Sequence, residues 1–210
     1  MRLLPFSTRD AATELSVDER LFREVEDGAG EESLRFWECP HAAVILGHRA
    51  RQHEQVHEDA CRMDGVPIVY RISGGGGVVI GPGCLSYSMV LSLEARPQLR
   101  DVAESYREIL GAMMRALDIE GLACEGQSDL AIRGRKILGS AERLGRRALL
   151  HNGTWLYDFD LDLIARYVKE PARRPVYRGG RRHREFVANA PIDGEQFRIR
   201  LQRVFATTWA

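Results

Sequence analysis

With 210 residues, 44% of them hydrophobic and 29% charged, the chain is long enough for one substantial core and has the composition of an ordinary soluble globular protein. Thirty Lys and Arg side chains cancel thirty Asp and Glu, which argues against a whole-surface footprint for nucleic acid. No apolar run approaches the ~20 residues that span a bilayer, and the start of the chain has no run long enough for a signal peptide, so neither a membrane role nor secretion is indicated.

The four cysteines, Cys39, Cys61, Cys84 and Cys124, show no CxxC spacing and no pairing with close histidines of the kind that suggests a finger. That pattern speaks against a zinc finger or a disulfide framework and fits a reducing cytoplasm. In chain order, residues 9–25 read as a helix capped by Thr8 or Asp10, with Ala11, Leu15, Leu21, Phe22 and Val25 near helical spacing. Residues 34–38 and 42–46 read as strands joined by a turn. Residues 52–64 read as a polar helix ending at Gly65; His53 and His57 lie at i, i+4, but with no third ligand they read as a solvated face, and no metal site is assigned.

Strands are expected over 66–70 and 78–80, and a half-buried strand over 85–91. Residues 99–117 form the clearest amphipathic helix, with Val102, Tyr106, Ile109, Leu110, Met113 and Leu117 on one stripe. A strand over 129–132 turns at Arg133-Gly134, residues 136–144 and 147–157 read as a strand pair around Gly145, and 161–168 as a helix capped by Asp158 or Asp160. Residues 171–184 form a loop rich in glycine, proline and arginine. Its stretch from 173 to 184, with six arginines and a histidine, suits an anionic ligand or an acidic partner, or is simply solvated. Residues 193–209 hold a closing helix. No repeat or low-complexity linker divides the chain, so a single domain over 1–210 is expected, an α+β fold of mixed sheets layered with helices.

Two stretches carry chemistry. Arg71-Ile72-Ser73-Gly74-Gly75-Gly76-Gly77 joins two apolar segments. Consecutive glycines lose much backbone freedom on folding and are tolerated where the chain takes positive φ or approaches a ligand closely. Their N–H groups can form an anion-binding concavity, to which Arg71 and Ser73 add donors; a flexible glycine hairpin is the plainer alternative. The stretch lacks the Lys-Ser/Thr of a P-loop and the following helix of a dinucleotide fingerprint. The second stretch is Ser128-Asp129 through Lys136-Ile137-Leu138-Gly139-Ser140-Ala141. Lys136 opens a strand after a tight turn, a placed ammonium suited to phosphate or carboxylate; Gly139 leaves room for backbone or ligand, and Asp129 can orient a polar group. Further on, His151-Asn152-Gly153-Thr154 interrupts an apolar strand.

These residues resemble the lipoate–protein ligase A family, within the wider group of biotin and lipoate protein ligase catalytic domains. Its Arg-x-Ser-Gly-Gly-Gly loop is matched by Arg71 to Gly76. Its Asp-Leu…Lys-Ile-x-Gly-Ser-Ala element is matched by Asp129-Leu130 and by Lys136 to Ala141, and its His-x-Gly-Thr strand by His151 to Thr154. The resemblance covers roughly residues 10–170. It implies a catalytic core like that of biotin synthetases and class II tRNA synthetases, with Lys136 as the catalytic residue. Arg71, Ser73, Gly74, Gly75, Gly76, Asp129, Gly139, Ser140, His151 and Gly153 would bind substrate or adenylate.

The implied reaction joins lipoate or octanoate, activated with ATP (Mg optional) or supplied as lipoyl-AMP, to a lysine on a lipoyl domain. That domain would belong to a 2-oxoacid dehydrogenase or a glycine-cleavage H-type protein. The family often carries an accessory C-terminal domain for adenylation, for which 171–210 is too short, which leaves two alternatives: a separate accessory subunit, or a chain that performs only the transfer step. After the glycines the family usually has His-Asp and then Gly-Asn; here Ile80-Gly81 and Gly83-Cys84 stand instead. Two rivals remain: an octanoyltransferase with Cys84 or Cys124 as thioester nucleophile, and a non-catalytic lipoyl- or nucleotide-binding module.

Overall fold

A computed structural model describes residues 1–172 and 174–208. Two short strands, β1 (Arg2–Leu3) and β2 (Ser7–Thr8), precede α1 (Ala11–Glu26). Asp10 starts this helix: its Oδ1 accepts the Thr13 N–H at 2.9 Å, one of the amides that a helix start leaves without a partner. Strands β3 (Ser33–Glu38) and β4 (Ala43–Gly47) follow. The single helix expected over 52–64 is two pieces, α2 (Gln52–Gln55) and α3 (Glu58–Asp64), because Val56 is extended and bridges to Val168. His53 and His57 therefore share no continuous helix face. Gly65, at φ 67, closes α3 in the left-handed conformation that glycine tolerates.

Next come β5 (Ile68–Arg71), β6 (Val78–Ile80), β7 (Cys84–Ser92) and α4 (Val102–Leu117). Residues 97–100 form a separate 3₁₀ turn, so α4 starts later than the expected 99, with Asp101 Oδ1 accepting the Glu104 N–H at 2.9 Å. Val102 then falls on the exposed side of the first turn, while Tyr106, Ile109, Leu110, Met113 and Leu117 are buried as the stripe implies. The chain continues through β8 (Leu122–Glu125), β9 (Asp129–Ile132), β10 (Arg135–Leu144) and β11 (Ala148–Leu156). It ends with α5 (Asp162–Tyr167), α6 (His183–Phe186) and α7 (Gly194–Thr208); Trp209, expected in the closing helix, lies outside the described residues. Neither cap candidate for α5 holds the cap position, which is Leu161; Asp160, one residue earlier, accepts the Asp162 N–H with its Oδ1 at 3.1 Å.

One sheet runs in the order β1-β3-β7-β11-β10-β9-β8, with β2 beside β3; a second holds β5-β4-β6. The fold is α+β with mixed sheets layered with helices, as the sequence implies. β7 differs from expectation: Cys84 to Leu91 is buried on both faces. One face meets α4 and α7 through Ile109, Met113, Phe197 and Leu201; the other meets α1 and the small sheet. A central strand covered on both sides reads as continuous burial rather than alternation. Among the described residues no helix is long and apolar enough to cross a membrane.

The small sheet decides the geometry of the glycine stretch. β5 runs parallel to β4 on one side, and β6 runs antiparallel to it on the other. The glycines therefore form no hairpin. They carry the chain over the end of β4 from one flank to the other, passing Gly47, where a Cβ would collide with the backbone of Gly74 and Gly75.

Candidate active site

Cross-strand pairing builds the floor of the site. Gly139 stands opposite Thr154, Thr154 opposite Ser86, and Ser86 opposite Trp37, one row across β10, β11, β7 and β3. Two residues along, Ala141, Asn152, Ser88 and Arg35 form a second row. Directly opposed residues share a face of the sheet. All of these except Arg35 line a cavity of about 660 Å³, a volume typical of small-molecule sites. Leu15, Ile45, Val79, Leu156, Val168 and Phe186 supply apolar wall.

Lys136 reaches this cavity because of a bulge. The β9–β10 register slips between Lys136 and Leu138, and the Lys136 carbonyl accepts the Ala188 N–H at 2.9 Å. A bulge bends the strand and re-aims a side chain. Here the lysine lies across Gly139, where a Cβ would sit 2.5 Å from its Cε and Nζ. The room that Gly139 leaves is thus filled by Lys136 itself, which places the ammonium on the same face as Thr154, Ser86 and Trp37. Its Nζ meets Asp129 Oδ1 at 2.7 Å, and Asp129 Oδ2 accepts the Tyr177 hydroxyl at 2.7 Å. Burial, and then the Asp129 carboxylate, push the Tyr177 phenol up, so it remains a donor that holds the carboxylate in place. Tyr177 stands in the sequence as one residue of an arginine-rich stretch, and nothing local marks its pairing with a carboxylate 48 positions away.

The glycine loop is held from behind. Arg71 donates from Nη2 to the carbonyls of Gly74 at 2.6 Å and Gly76 at 2.9 Å, and from Nε to Gly74 at 3.1 Å. Its burial lowers its pKa to about 10, still far above neutral pH. Ser73 is fully buried and donates to Asn152 Oδ1 at 3.0 Å. Both residues, expected as ligand donors, brace the loop in this structure. The Gly74 N–H is bound to the Glu142 carbonyl at 3.1 Å and the Gly77 N–H to Gln55 Oε1 at 2.7 Å. The N–H groups of Gly75 and Gly76 have no partner among the described residues, and both glycines line the cavity. Gly75 has φ 88, and a Cβ there would lie 2.9 Å from Arg71 Nη2, so the position suits glycine on both counts.

Of the other expected residues, Ser140 lines the cavity while its Oγ donates to the Ser128 carbonyl at 2.7 Å. Gly153 also lines it, and its missing side chain makes room for the Tyr87 ring, 2.7 Å from where a Cβ would stand. His151 lies in the core below the floor, between the Tyr87 hydroxyl at 2.9 Å and Glu142 at 2.8 Å, with Ser105 donating to Glu142. Neither Cys84 nor Cys124 lines the cavity. Cys84 packs in the apolar cluster with Trp37 and Ala43, and burial pushes its thiol far up; Cys124 is exposed on the edge strand β8.

The basic stretch packs as a strap beside the cavity. Arg178 pairs with Glu170 at 2.5 Å, and Arg181 donates to the Gly134 carbonyl at 2.9 Å. Both guanidinium groups lie over Phe186, at 4.7 and 5.4 Å from its centroid. Arg173, part of the same expectation, lies outside the described residues.

Replacing Gly47 by alanine tests whether the loop position matters. The new methyl would meet backbone rather than a flexible side chain, so the loop must shift. Thermal unfolding is expected to show a loss of about 1–3 kcal/mol.

Residues 10–191 match the family model described as the lipoyl protein ligase A/B catalytic domain. A probable lipoate-protein ligase A of Mycoplasma pneumoniae is 26% identical over 78% of this chain; the chain spans about half, 48%, of that relative's length. The octanoyltransferase LipM of Carboxydothermus hydrogenoformans is 28% identical over 80% of this chain and 69% of its own. The structure superposes, with a TM-score of 0.82, on a chain of the archaeal lipoylation system of Thermoplasma acidophilum, a bi-partite lipoate protein ligase and its E2 lipoyl domain. The two are 26% identical, and the match covers 99% of this chain and 82% of that one.

Proposed function

This chain belongs to the lipoyl protein ligase A/B catalytic-domain family, and from that premise we propose that it transfers a lipoyl or octanoyl group from an acyl-adenylate to a lysine of a lipoyl domain. One observation carries the reading: the Lys136 ammonium and the Gly75–Gly76 amides lie at a single cavity with apolar walls. A carboxylate is a poor electrophile. Attack by its oxygen on the α-phosphorus of ATP forms the mixed anhydride with AMP and releases pyrophosphate. The neutral ε-amine of the lipoyl-domain lysine then adds to the anhydride carbonyl, forming the amide and expelling AMP.

Negative charge develops on the carbonyl oxygen and on the leaving phosphate, and preorganised donors aimed at those atoms lower the barrier. Lys136 is the charged donor, Asp129 and Tyr177 position it, and the Gly75 and Gly76 N–H groups complete the cradle. Arg71, Ser73, Gly74 and Asn152 set the loop's shape, Gly139 and Ser140 set the strand beneath the lysine, and His151 and Gly153 support the floor from its other face. Burial of an alkyl chain against the apolar wall adds affinity of about 0.8 kcal/mol per CH₂.

This donor set fits an acyl-phosphate. Mg, when present, would be held mainly by the substrate's own phosphates; among the described residues no three His, Cys, Asp or Glu gather as a metal site would need. The bi-partite relative motivates a second subunit for the adenylation step.

The LipM relative supports a second reading, octanoyl transfer from a thioester. The positions of Cys84 and Cys124 give it no nucleophile at the cavity. Three donors offered in parallel with a lipoyl domain separate the readings: ATP plus lipoate, preformed lipoyl-AMP, and octanoyl-loaded acyl carrier protein. Transfer from lipoyl-AMP is expected. Transfer from the thioester alone, abolished by a Cys→Ser change, would replace the ligase reading. Binding of lipoyl-AMP without any transfer would leave a non-catalytic module.

A further inference from the structure

Of the thirty basic side chains only two are lysines, Lys136 and Lys169; the other twenty-eight are arginines. Both lysines line the same cavity. A guanidinium stays protonated and does not attack a carbonyl, whereas a lysine amine is the nucleophile that an activated acyl group consumes. Apart from the α-amine of Met1, the chain therefore carries acylable amines only where the reactive donor would be held.

The two lysines differ in what holds them. Lys136 Nζ is ion-paired with Asp129 at 2.7 Å. Lys169 Nζ donates to the His53 carbonyl at 2.7 Å, an exposed bond, and no carboxylate is within ion-pair distance of it among the described residues. An amine sheds a proton before it attacks. At Lys136 that step breaks an ion pair, while at Lys169 an N–H can keep its carbonyl. The backbone brings Lys169 to the glycine loop. Its N–H donates to the Gln55 carbonyl at 2.8 Å, and Gln55 Oε1 accepts the Gly77 N–H at 2.7 Å. The preceding residue, Val168, has its Cγ1 3.8 Å from where a Gly77 Cβ would stand. The four-carbon stem of Lys169 lets Nζ leave an exposed carbonyl and swing into the cavity.

We propose that Lys169 is an intramolecular acyl acceptor, modified by the lipoyl- or octanoyl-adenylate in the cavity when no lipoyl domain is bound. Its neutral Nζ adds to the anhydride carbonyl. The C–N bond forms, the C–O bond to phosphate breaks, AMP leaves with that electron pair, and the surplus proton passes to water. The product is an amide without positive charge on the segment that leads into the arginine strap. The proposal rests on the acyl-adenylate reading above and adds a second acceptor to it.

Incubation with preformed lipoyl-AMP, with and without a lipoyl domain, tests it by intact mass and peptide mapping. The chain offers three amines to map: Lys136, Lys169 and the Met1 α-amine. Without lipoyl domain, Lys169 is expected to carry at least about tenfold more lipoyl label than either other amine, because a donor held beside one amine raises its effective concentration. Lys169→Arg keeps the charge and a donor for the His53 carbonyl; it should lose the label while transfer to a lipoyl domain stays within about twofold of wild type. Excess lipoyl domain should suppress the label on the wild-type chain. Four results would overturn the Lys169 site alone: an unlabelled chain that still transfers to the lipoyl domain, equal label on Met1, the same extent of label on the urea-unfolded chain, or label undiminished by excess lipoyl domain. Neither label nor transfer would overturn the site and the acyl-adenylate reading together.

Discussion

Single-turnover transfer from preformed lipoyl-AMP to a lipoyl domain is expected to fall about 10²–10³-fold when Lys136 is replaced by alanine, the usual effect of removing one preorganised donor from a developing oxyanion. The loss should appear in the rate constant at saturating adenylate. The fold should survive, because Lys136 is partly exposed and its pair with Asp129 contributes little to stability. Asp129 keeps its Tyr177 and Ser128 partners. Gly139→Ala provides an independent check through position rather than charge. Its methyl would fall 2.5 Å from Lys136 Cε and Nζ, the far end of a flexible side chain that can move aside. That variant should therefore fold normally yet lose transfer, with the ammonium pushed off its station. Full activity in Gly139→Ala would contradict the assigned location of the amine.

The largest stability effect is expected at Arg35. Its guanidinium is 2% exposed and meets two buried carboxylates: Glu14, and Asp18 at 2.6 Å. Burial pushes the Asp18 carboxyl up, Arg35 opposes that shift, and Ser88 on the cavity floor donates to the same carboxylate. Removing one member of a buried ionic cluster leaves uncompensated charge and costs about 3–5 kcal/mol. Arg35→Ala should therefore lower Tm by about 6–20 °C at 2–4 °C per kcal/mol for a chain of this size. Neutralising the partners in the same chain, with Glu14→Gln and Asp18→Asn on an Arg35→Met background, should recover much of the loss. Recovery would locate the penalty in stranded charge rather than in lost packing. An unchanged Tm in Arg35→Ala would contradict the buried cluster.

What could be read from the residues alone was local. The capping carboxylate at Asp10, the αL glycine at 65, the stripe of α4 and the turn at Arg133-Gly134 each depend on neighbours a few positions away, and each is found. The convergence of the glycine loop and Lys136 on one cavity was also legible, through the ordered motifs. The inward turn of Arg71 and Ser73 was not. Both look like ligand donors until β5 and β6 are seen to flank β4, which turns the glycines into a crossover with the arginine beneath it. The roles of Asn152 and Tyr177 depend on partners 79 and 48 positions away. Val56 broke an expected helix for a bridge to Val168, and Leu122–Glu125 was missed because an edge strand with no buried position carries no burial alternation to read.

The central claim is that the Lys136 ammonium and the Gly75–Gly76 amides hold one activated acyl group. A crystal structure of the chain with a non-hydrolysable acyl-sulfamate analogue of lipoyl-AMP tests it most directly. The account predicts the sulfamate and carbonyl oxygens within about 3 Å of Lys136 Nζ and of the two amides, with the acyl chain running over Thr154 and Ser86 toward Trp37. An analogue bound with its sulfamate away from the lysine, and its acyl chain outside the cavity, would contradict it.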